Sequence, residues 1–426
     1  METKGRTLKR PKPTFKVILI LFTSLSFYIF ITAVCYINGN LSLVFTILLL
    51  LVFYLATPLL ITAVVLTVNP IFNFQKRRII KKATQKMRTL KKVKVIGITG
   101  SYGKTSTKEF LDTILSEKFK VVKTEGNNNT NIGVAYTVLN KVSDEYDYFI
   151  CEMGAYKIGE IAEMCEIVKP QIGILTGINE QHIELFGSIE NTMKAKFELI
   201  ESLPENGLAI INARITNYES RIIKKNVKRF SLDDAENIKV CRDCIEFNYK
   251  NHNFKINLLG RHFIENLLAA IMTAEDLGMS LEEISRAVEK IKPSEFMMRK
   301  LKGVSNSVFI NDSYSANPDG VVAALDSLNE AYQDCKKIIV FPGIIELGSE
   351  SEKVHKRLFD KIDKICDIAY ILNTEYQTPN VKYKCKFVFE KDFGKVASIL
   401  KKELDENTIV LFESRGAGVV MKKLLK

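Results

Sequence analysis

Val95-Ile-Gly-Ile-Thr-Gly-Ser-Tyr-Gly-Lys-Thr-Ser-Thr107 sets an apolar run against a glycine turn, followed by a lysine and three hydroxyl residues. Residues of these types in this order hold phosphate. The turn through Gly100, Ser101 and Gly103 and the following helix N-terminus present backbone N–H groups to anionic oxygens. Lys104 reaches the terminal phosphates, and the Thr105 hydroxyl, with Ser106 beside it, meets Mg²⁺. The general pattern places a glycine five positions before Gly103; Ile98 stands there, and Gly100 makes a tighter turn. The stretch predicts a nucleotide-binding loop between a strand and a helix.

The elements that must position this loop read as alternating strands and helices, which predicts α/β architecture with a largely parallel sheet. Strand-like runs lie at Val95–Thr99, Tyr148–Met153, Ile172–Thr176 and Ala209–Asn212, with helical patterns at Lys108–Ser116 and Thr192–Ser202. Phe263–Leu277 and Leu281–Ile291 read as two more helices, the second opened by a capping box of Ser280 and Glu283. Lys292-Pro293-Ser294 breaks that helix and marks a domain boundary. A second α/β unit follows, with strands at Ser307–Asn311, Lys337–Phe341, Ile368–Leu372 and Thr408–Phe412.

The net charge of +12 is unevenly placed. Residues 1–94 hold 16 Lys/Arg against Glu2 alone, and the rest holds 45 Lys/Arg against 48 acids, a balance of −3. A nearly neutral body argues against nucleic acid as a partner. The basic residues flank two uncharged stretches, Val17–Ile37 and Leu41–Val68. Each is long enough to span a bilayer. Lys4, Arg6, Lys9, Arg10, Lys12 and Lys16 precede the first; Lys76, Arg77, Arg78, Lys81 and Lys82 follow the second, and Asn38-Gly39-Asn40 joins the two. By the positive-inside rule this is a two-pass hairpin in the cell membrane with both ends, and the catalytic domains, in the cytoplasm. Cys241-Arg-Asp-Cys244 has no second pair at zinc spacing and reads as a chance pairing.

Six ordered stretches from about Lys94 to Lys426 resemble the Mur ligase family, nearest the MurF-type branch that adds D-alanyl-D-alanine to a UDP-muramoyl peptide. The first is the phosphate loop. The second is Thr124-Glu-Gly-Asn-Asn-Asn-Thr-Asn-Ile-Gly-Val134, with Thr130 where an asparagine is usual; the resemblance implies that Asn128 and Asn129 help seat acceptor and nucleotide. In the third, Cys151-Glu-Met-Gly-Ala155, Glu152 resembles the family's Mg²⁺ ligand. The fourth is Asn179-Glu-Gln-His-Ile-Glu-Leu-Phe-Gly-Ser188, followed by Met193-Lys-Ala-Lys-Phe-Glu198. There His182 resembles a second metal ligand and Lys196, rather than Lys194, the lysine the family carbamylates. Such a lysine needs an amine that is neutral part of the time, which desolvation or a neighbouring cation provides. The fifth is Leu258–Ala270, whose Asn266 keeps the place of the asparagine that reads adenine, while Phe263 replaces another. The sixth comprises Arg299, which resembles the arginine that reaches back to the phosphates, and Asp312-Ser-Tyr-Ser-Ala-Asn-Pro318. It implies nucleotide contacts from Asp312 and Tyr314, with Asn317 shaping the loop.

The resemblance implies a P-loop central ATPase domain (95–293) and a Rossmann-like C-terminal domain (294–426), preceded by the two transmembrane helices and a basic linker (1–94). It also implies ATP, two Mg²⁺ ions and a carbamylated Lys196. The activity expected is ADP-forming amide synthesis through an acyl phosphate, joining an amino acid or dipeptide to a carboxylate of an envelope precursor. Three departures bear on the substrate. The hairpin stands where the family has a UDP-sugar-binding domain. Gly343 replaces an aspartate in Phe341-Pro-Gly-Ile-Ile-Glu-Leu-Gly348, which keeps Glu346. Phe412-Glu-Ser-Arg415 loses a lysine and keeps Arg415. Either the acceptor is not the soluble UDP-muramoyl peptide or another subunit supplies its recognition, and the hairpin suggests an acceptor carboxylate on a lipid-linked or membrane-proximal glycan or peptide. The alternatives are a D-alanyl-D-alanine-adding enzyme with a fused anchor, or a scaffold that binds ATP without catalysis. A transport ATPase is disfavoured by the presence of two membrane helices and one ATPase signature.

Overall fold

The computed structural model describes residues 15–37, 43–126, 128–216, 226–293, 298–314, 317–373 and 382–425. The expected hairpin connector at Asn38–Asn40, the basic residues Lys4 to Lys12, and residues 294–297 at the expected domain boundary lie outside the described residues. The chain forms two compact units, Met1–Lys82 and Ala83–Lys426.

The first unit carries helix α1 (Phe15–Ile37) and most of α2 (Leu43–Thr89). Both are long and apolar enough to cross a membrane by length and composition. Large apolar side chains along them, including Phe22, Phe30, Tyr54 and Leu59, are exposed.

In the second unit a six-stranded sheet, ordered β2-β3-β1-β4-β5-β6, is parallel throughout. Its strands are β1 (Lys94–Thr99), β2 (Val121–Lys123), β3 (Tyr148–Glu152), β4 (Ile172–Leu175), β5 (Leu208–Asn212) and β6 (Asn226–Phe230). The central strands are buried along nearly their whole length, which is why they read as unbroken apolar runs. Helices α3 (Lys104–Leu115), α4 (Asn131–Lys141), α5 (Glu160–Val168), α6 (Ile183–Phe186) and α7 (Ile189–Glu201) connect them. The order reverses about β1, so the loops leaving β1, β3 and β4 meet at the carboxyl ends of the strands, where open α/β sheets hold ligands.

A three-stranded antiparallel sheet of β7 (Glu236–Val240), β8 (Ile245–Tyr249) and β9 (His252–Ile256) follows. Cys241 and Cys244 close its first hairpin as free thiols, joined by a 2.8 Å backbone hydrogen bond. Helices α8 (Phe263–Asp276) and α9 (Leu281–Val288) then return to the first sheet, with Phe263 edge-on to Phe110 of α3 at 5.9 Å. The expected capping box of Ser280 and Glu283 is present. Helix α9 stops at Val288 rather than at Ile291.

The last sheet is ordered β10-β11-β15-β12-β13-β14, from β10 (Arg299–Lys302), β11 (Val308–Asp312), β12 (Lys336–Phe341), β13 (Ile368–Ile371), β14 (Lys386–Phe389) and β15 (Thr408–Glu413). Only the β10–β11 pair is antiparallel. Its helices include α10 (Pro318–Ala331), α11 (Ser351–Ile365), α12 (Phe393–Lys401) and α13 (Ser414–Leu424).

Candidate active site

The loop leaving β1 is held by its glycines. Gly100 and Gly103 have φ of 152° and 77°, and a Cβ on Gly103 would collide with the Asn266 amide of α8. Only glycine combines that backbone with so close an approach. Asn266 is thereby placed against the phosphate loop. Ser101 N–H donates to the Gly177 carbonyl at 2.7 Å, and its hydroxyl accepts from Asn179 N–H at 3.3 Å. Lys104 folds back over its own turn, donating to the carbonyls of Gly100 at 2.6 Å and Ser101 at 3.1 Å. Desolvation pushes its ammonium below the usual lysine range, against the pull of the Glu152 charge.

Glu152 ends β3 and is 2% exposed. Its Oε1 accepts from Thr105 Oγ1 at 3.1 Å and from Asn129 Nδ2 at 3.0 Å. Its Oε2 forms no hydrogen bond and lies 3.0 Å from the Lys108 ammonium as an ion pair. Asn129 also receives Gly154 N–H on its carbonyl at 2.7 Å, tying the second and third motifs together. Asn128 is exposed on the same loop, and its neighbour Asn127 lies outside the described residues. Thr130 takes the place of the usual asparagine as the N-cap of α4, accepting from Gly133 N–H.

A pocket is lined by Gly100, Ser101, Lys104, Asn129, the Gly154–Tyr156 loop, Gln181, His182, Phe186 and Lys196. Lys196, 4% exposed, touches only the Ala155 carbonyl at 3.4 Å among the hydrogen bonds of the described residues, and its Nζ lies 5.5 Å from the Phe186 ring centre. Burial, with the Lys104 charge adding to it, pushes its amine down to about 7. Lys194 shows no such burial. His182 adopts a left-handed backbone (φ 60°), stacks edge-on with Tyr156 at 5.3 Å, and its Nδ1 is engaged by Glu346.

The Glu346 contact crosses from the first sheet to the last, and others accompany it. Asn179 Nδ2 donates to Asn317 Oδ1 at 3.0 Å and Asp319 Oδ2 at 2.9 Å, and Arg261 Nη1 lies 3.2 Å from Glu330. Asn317 also caps α10, accepting from Gly320 N–H ahead of Pro318. Asp312 and Glu413 end the paired strands β11 and β15 in register. Burial pushes the Asp312 carboxyl up to about 7, and burial beside Asp312 pushes Glu413 well above the carboxylate range. Arg415 donates from Nε to the Tyr314 carbonyl at 3.1 Å, with its guanidinium 5.9 Å from the Tyr314 ring. Arg299 opens β10 with a buried Nε that makes no hydrogen bond, and none of the described contacts brings it to the phosphate loop. Ser315 and Ala316 of the sixth motif lie outside the described residues.

The first-sheet residues Gly100, Ser101, Gly103, Lys104, Thr105, Asn129, Glu152, His182, Lys196 and Asn266 thus share one neighbourhood. Sequence reasoning missed Lys108, although it stands one helical turn beyond Lys104 on the same face of α3. Magnesium takes hard oxygen ligands. Glu152 and Thr105 offer two oxygens side by side next to the loop, and these fit a phosphate-bound ion. Among the described residues no three His, Cys, Asp or Glu side chains converge on one point, and an ion held by one carboxylate takes its other ligands from phosphate and water oxygens.

A glycine phosphate loop on a parallel sheet, bridged by polar contacts to a second mostly parallel sheet, defines a nucleotide-binding enzyme of the P-loop type. Residues 98–274 match the Mur ligase middle domain, and residues 298–416 match the Mur ligase, glutamate ligase domain. The UDP-N-acetylmuramoyl-tripeptide–D-alanyl-D-alanine ligase of Escherichia coli is 35% identical over 62% of this chain, although the match spans only 60% of that enzyme. The Rickettsia prowazekii ligase of the same name is 30% identical over 80% of both chains. The MurF ligase of Thermotoga maritima, solved with ADP, superposes with a TM-score of 0.72 at 25% identity, covering 82% of this chain and 84% of that one. The chain belongs to the Mur ligase family, which comprises ATP-dependent acid–amino-acid ligases.

Proposed function

We propose that this chain is a membrane-anchored, ADP-forming ligase that joins D-alanyl-D-alanine to a carboxylate of a UDP-muramoyl tripeptide. The observation that carries this reading is the shared name of the curated relatives, which match up to 80% of this chain at 30% identity. They weigh toward a UDP-linked acceptor over the lipid-linked one that the sequence departures favour. A lipid-linked acceptor is the second reading, favoured by α1 and α2, which stand ahead of β1 where the resemblance implies a UDP-sugar-binding domain. The two apolar helices and their flanking basic residues support a two-pass anchor with the ligase body in the cytoplasm. The domains are assigned as 1–94, 95–293 and 294–426.

A carboxylate is inert to amines at neutral pH, so a phosphate leaving group has to be installed first. The acceptor carboxylate attacks the terminal phosphorus of ATP and ADP departs; the dipeptide amine then displaces phosphate from the acyl carbon. Lys104 leaves its loop carbonyls to hold the transferring phosphoryl group, and the N–H groups of Gly100, Gly103 and Ser106 cradle the rest, while Ser101, whose own N–H is taken by the Gly177 carbonyl, fixes the loop. Thr105 and Glu152 would hold Mg²⁺, which would supply positive charge to the phosphate oxygens. His182 and Lys196, if carbamylated, would hold a second ion; carbamylation requires the neutral amine that burial of Lys196 favours. Asn266 reads adenine. Arg299, Asp312, Tyr314 and Asn317 reach the nucleotide from the last sheet once the two catalytic domains rotate together, and Asn128, Asn129, Glu346 and Arg415 face the substrates.

The reading is tested by ligation itself, using the full chain in detergent with ATP, D-alanyl-D-alanine and UDP-muramoyl tripeptide. The expected product has gained the dipeptide, with one ADP formed per bond. Product formed only on addition of membrane lipid extract would transfer the assignment to the second reading.

Lys196 carries a pH signature that is independent of turnover. Its folded value is about 7, against an ordinary 10.5. Below about pH 7 the amine is protonated both folded and unfolded, and the full penalty of burying a cation applies. From there to about 10.5 the unfolded chain holds a proton that the folded chain has lost, so stability rises with pH. Lys196→Met removes this component. In metal-free, nucleotide-free protein its melting temperature should exceed that of the wild type at pH 7, with the gap closing toward pH 10. Parallel melting curves at all pH values would contradict the assignment.

A further inference from the structure

Lys108 is completely buried, on the same face of α3 as Lys104. Its Nζ lies 3.0 Å from Glu152 Oε2, 3.6 Å from Glu109 Oε1 and 3.5 Å from the Gly126 carbonyl. Glu109 shares Lys123 with Asp112, at 2.5 and 2.7 Å, and is nearly a quarter exposed, whereas Glu152 is buried and is the nearer carboxylate to Lys108. Glu152 is divided between its two oxygens. Oε1 faces Thr105 and Asn129 beside the phosphate loop, and Oε2 faces Lys108. An ionised carboxylate buried this deeply without a counter-charge would be strongly unfavourable. A lysine held this close also repels any second cation that approaches Glu152.

We propose that Lys108 is the resident counter-ion of Glu152. It fixes the carboxylate, charged and with Oε1 toward the loop, before nucleotide arrives, and it keeps a free divalent cation from settling there. A metal then binds as its nucleotide complex, when phosphate oxygens add ligands and negative charge that outweigh the repulsion from Lys108. Lys108 touches neither substrate nor phosphate in this role; it is a positioning residue. The inference rests on Glu152 being the metal ligand.

Manganese binding to the full chain in detergent, read from the free-ion electron paramagnetic resonance signal, tests it with and without ADP. Wild type should hold Mn²⁺ weakly alone and more tightly with ADP. Lys108→Met should bind Mn²⁺ without nucleotide at least tenfold more tightly than wild type, and adding Glu152→Gln should remove the gain. Lys108→Arg, which keeps the charge, should behave as wild type. A folded Lys108→Met protein with unchanged or weaker nucleotide-free Mn²⁺ binding would overturn the proposal. If that variant fails to fold, Lys108→Gln carries the same expectation and the same refutation. Glu152→Gln alone separates the two layers. If it leaves Mn²⁺–ADP binding intact, the metal-ligand reading itself fails. If it weakens that binding while the Lys108 variants change nothing, only the role of Lys108 fails.

Discussion

Lys104→Ala should lower ADP release by about a thousandfold or more while leaving the protein as stable as the wild type. The rate loss follows from removing the only lysine of the phosphate loop, because fixed positive charge at a transferring phosphoryl group supplies several kcal/mol of transition-state stabilisation. The unchanged stability follows from its contacts. Its Nζ bonds two carbonyls of its own turn, at 2.6 and 3.1 Å, and the side chain is only partly buried. Desolvation already disfavours its charge, and Glu152, whose charge acts on it, keeps its own ion pair with Lys108, so truncation strands no buried counter-ion. Paired measurements of turnover and thermal melting check both halves. Near-normal turnover would remove the phosphate loop from the chemistry.

Glu152 behaves differently, although sequence alone makes the two substitutions look alike. Glu152→Gln should abolish turnover to a similar degree, because the amide cannot replace the anionic oxygen beside Thr105. Glu152→Ala should abolish turnover and also lower stability by about 3–5 kcal/mol, because it leaves the fully buried Lys108 without its carboxylate. Lys108→Met combined with Glu152→Ala should regain much of that stability while remaining inactive. Chemical denaturation of the three variants measures the difference. Equal stability of Glu152→Ala and wild type would contradict the buried ion pair.

The phosphate loop was legible because its constraints are local. A strand, two glycines at positive φ and a Lys-Thr pair are all set by neighbours in the chain. The parallel strands were legible because burial on both faces makes apolar runs. The three-stranded sheet was less so. Its strands are short and half-buried and carry Lys, Glu and Asn on the open face, so alternation competes with loop-like composition. Pairings across the chain left almost no trace in the sequence. The Glu346 contact with His182 joins residues 164 positions apart, and that of Asp319 with Asn179 joins residues 140 apart. Lys108 is an intermediate case. Its helical spacing from Lys104 was readable, but its burial against Glu152 depends on β3 lying beside β1.

The central claim is that this site activates a carboxylate with ATP and does not merely hydrolyse the nucleotide. The most direct test is the ligation of D-alanyl-D-alanine to UDP-muramoyl tripeptide with ¹⁸O in the acceptor carboxylate, followed by mass analysis of the released phosphate. The account predicts one ¹⁸O atom in each phosphate, carried over when the amine displaces it from the acyl carbon. Phosphate that carries no label, with its extra oxygen drawn from water, would show hydrolysis without acyl transfer and contradict the account.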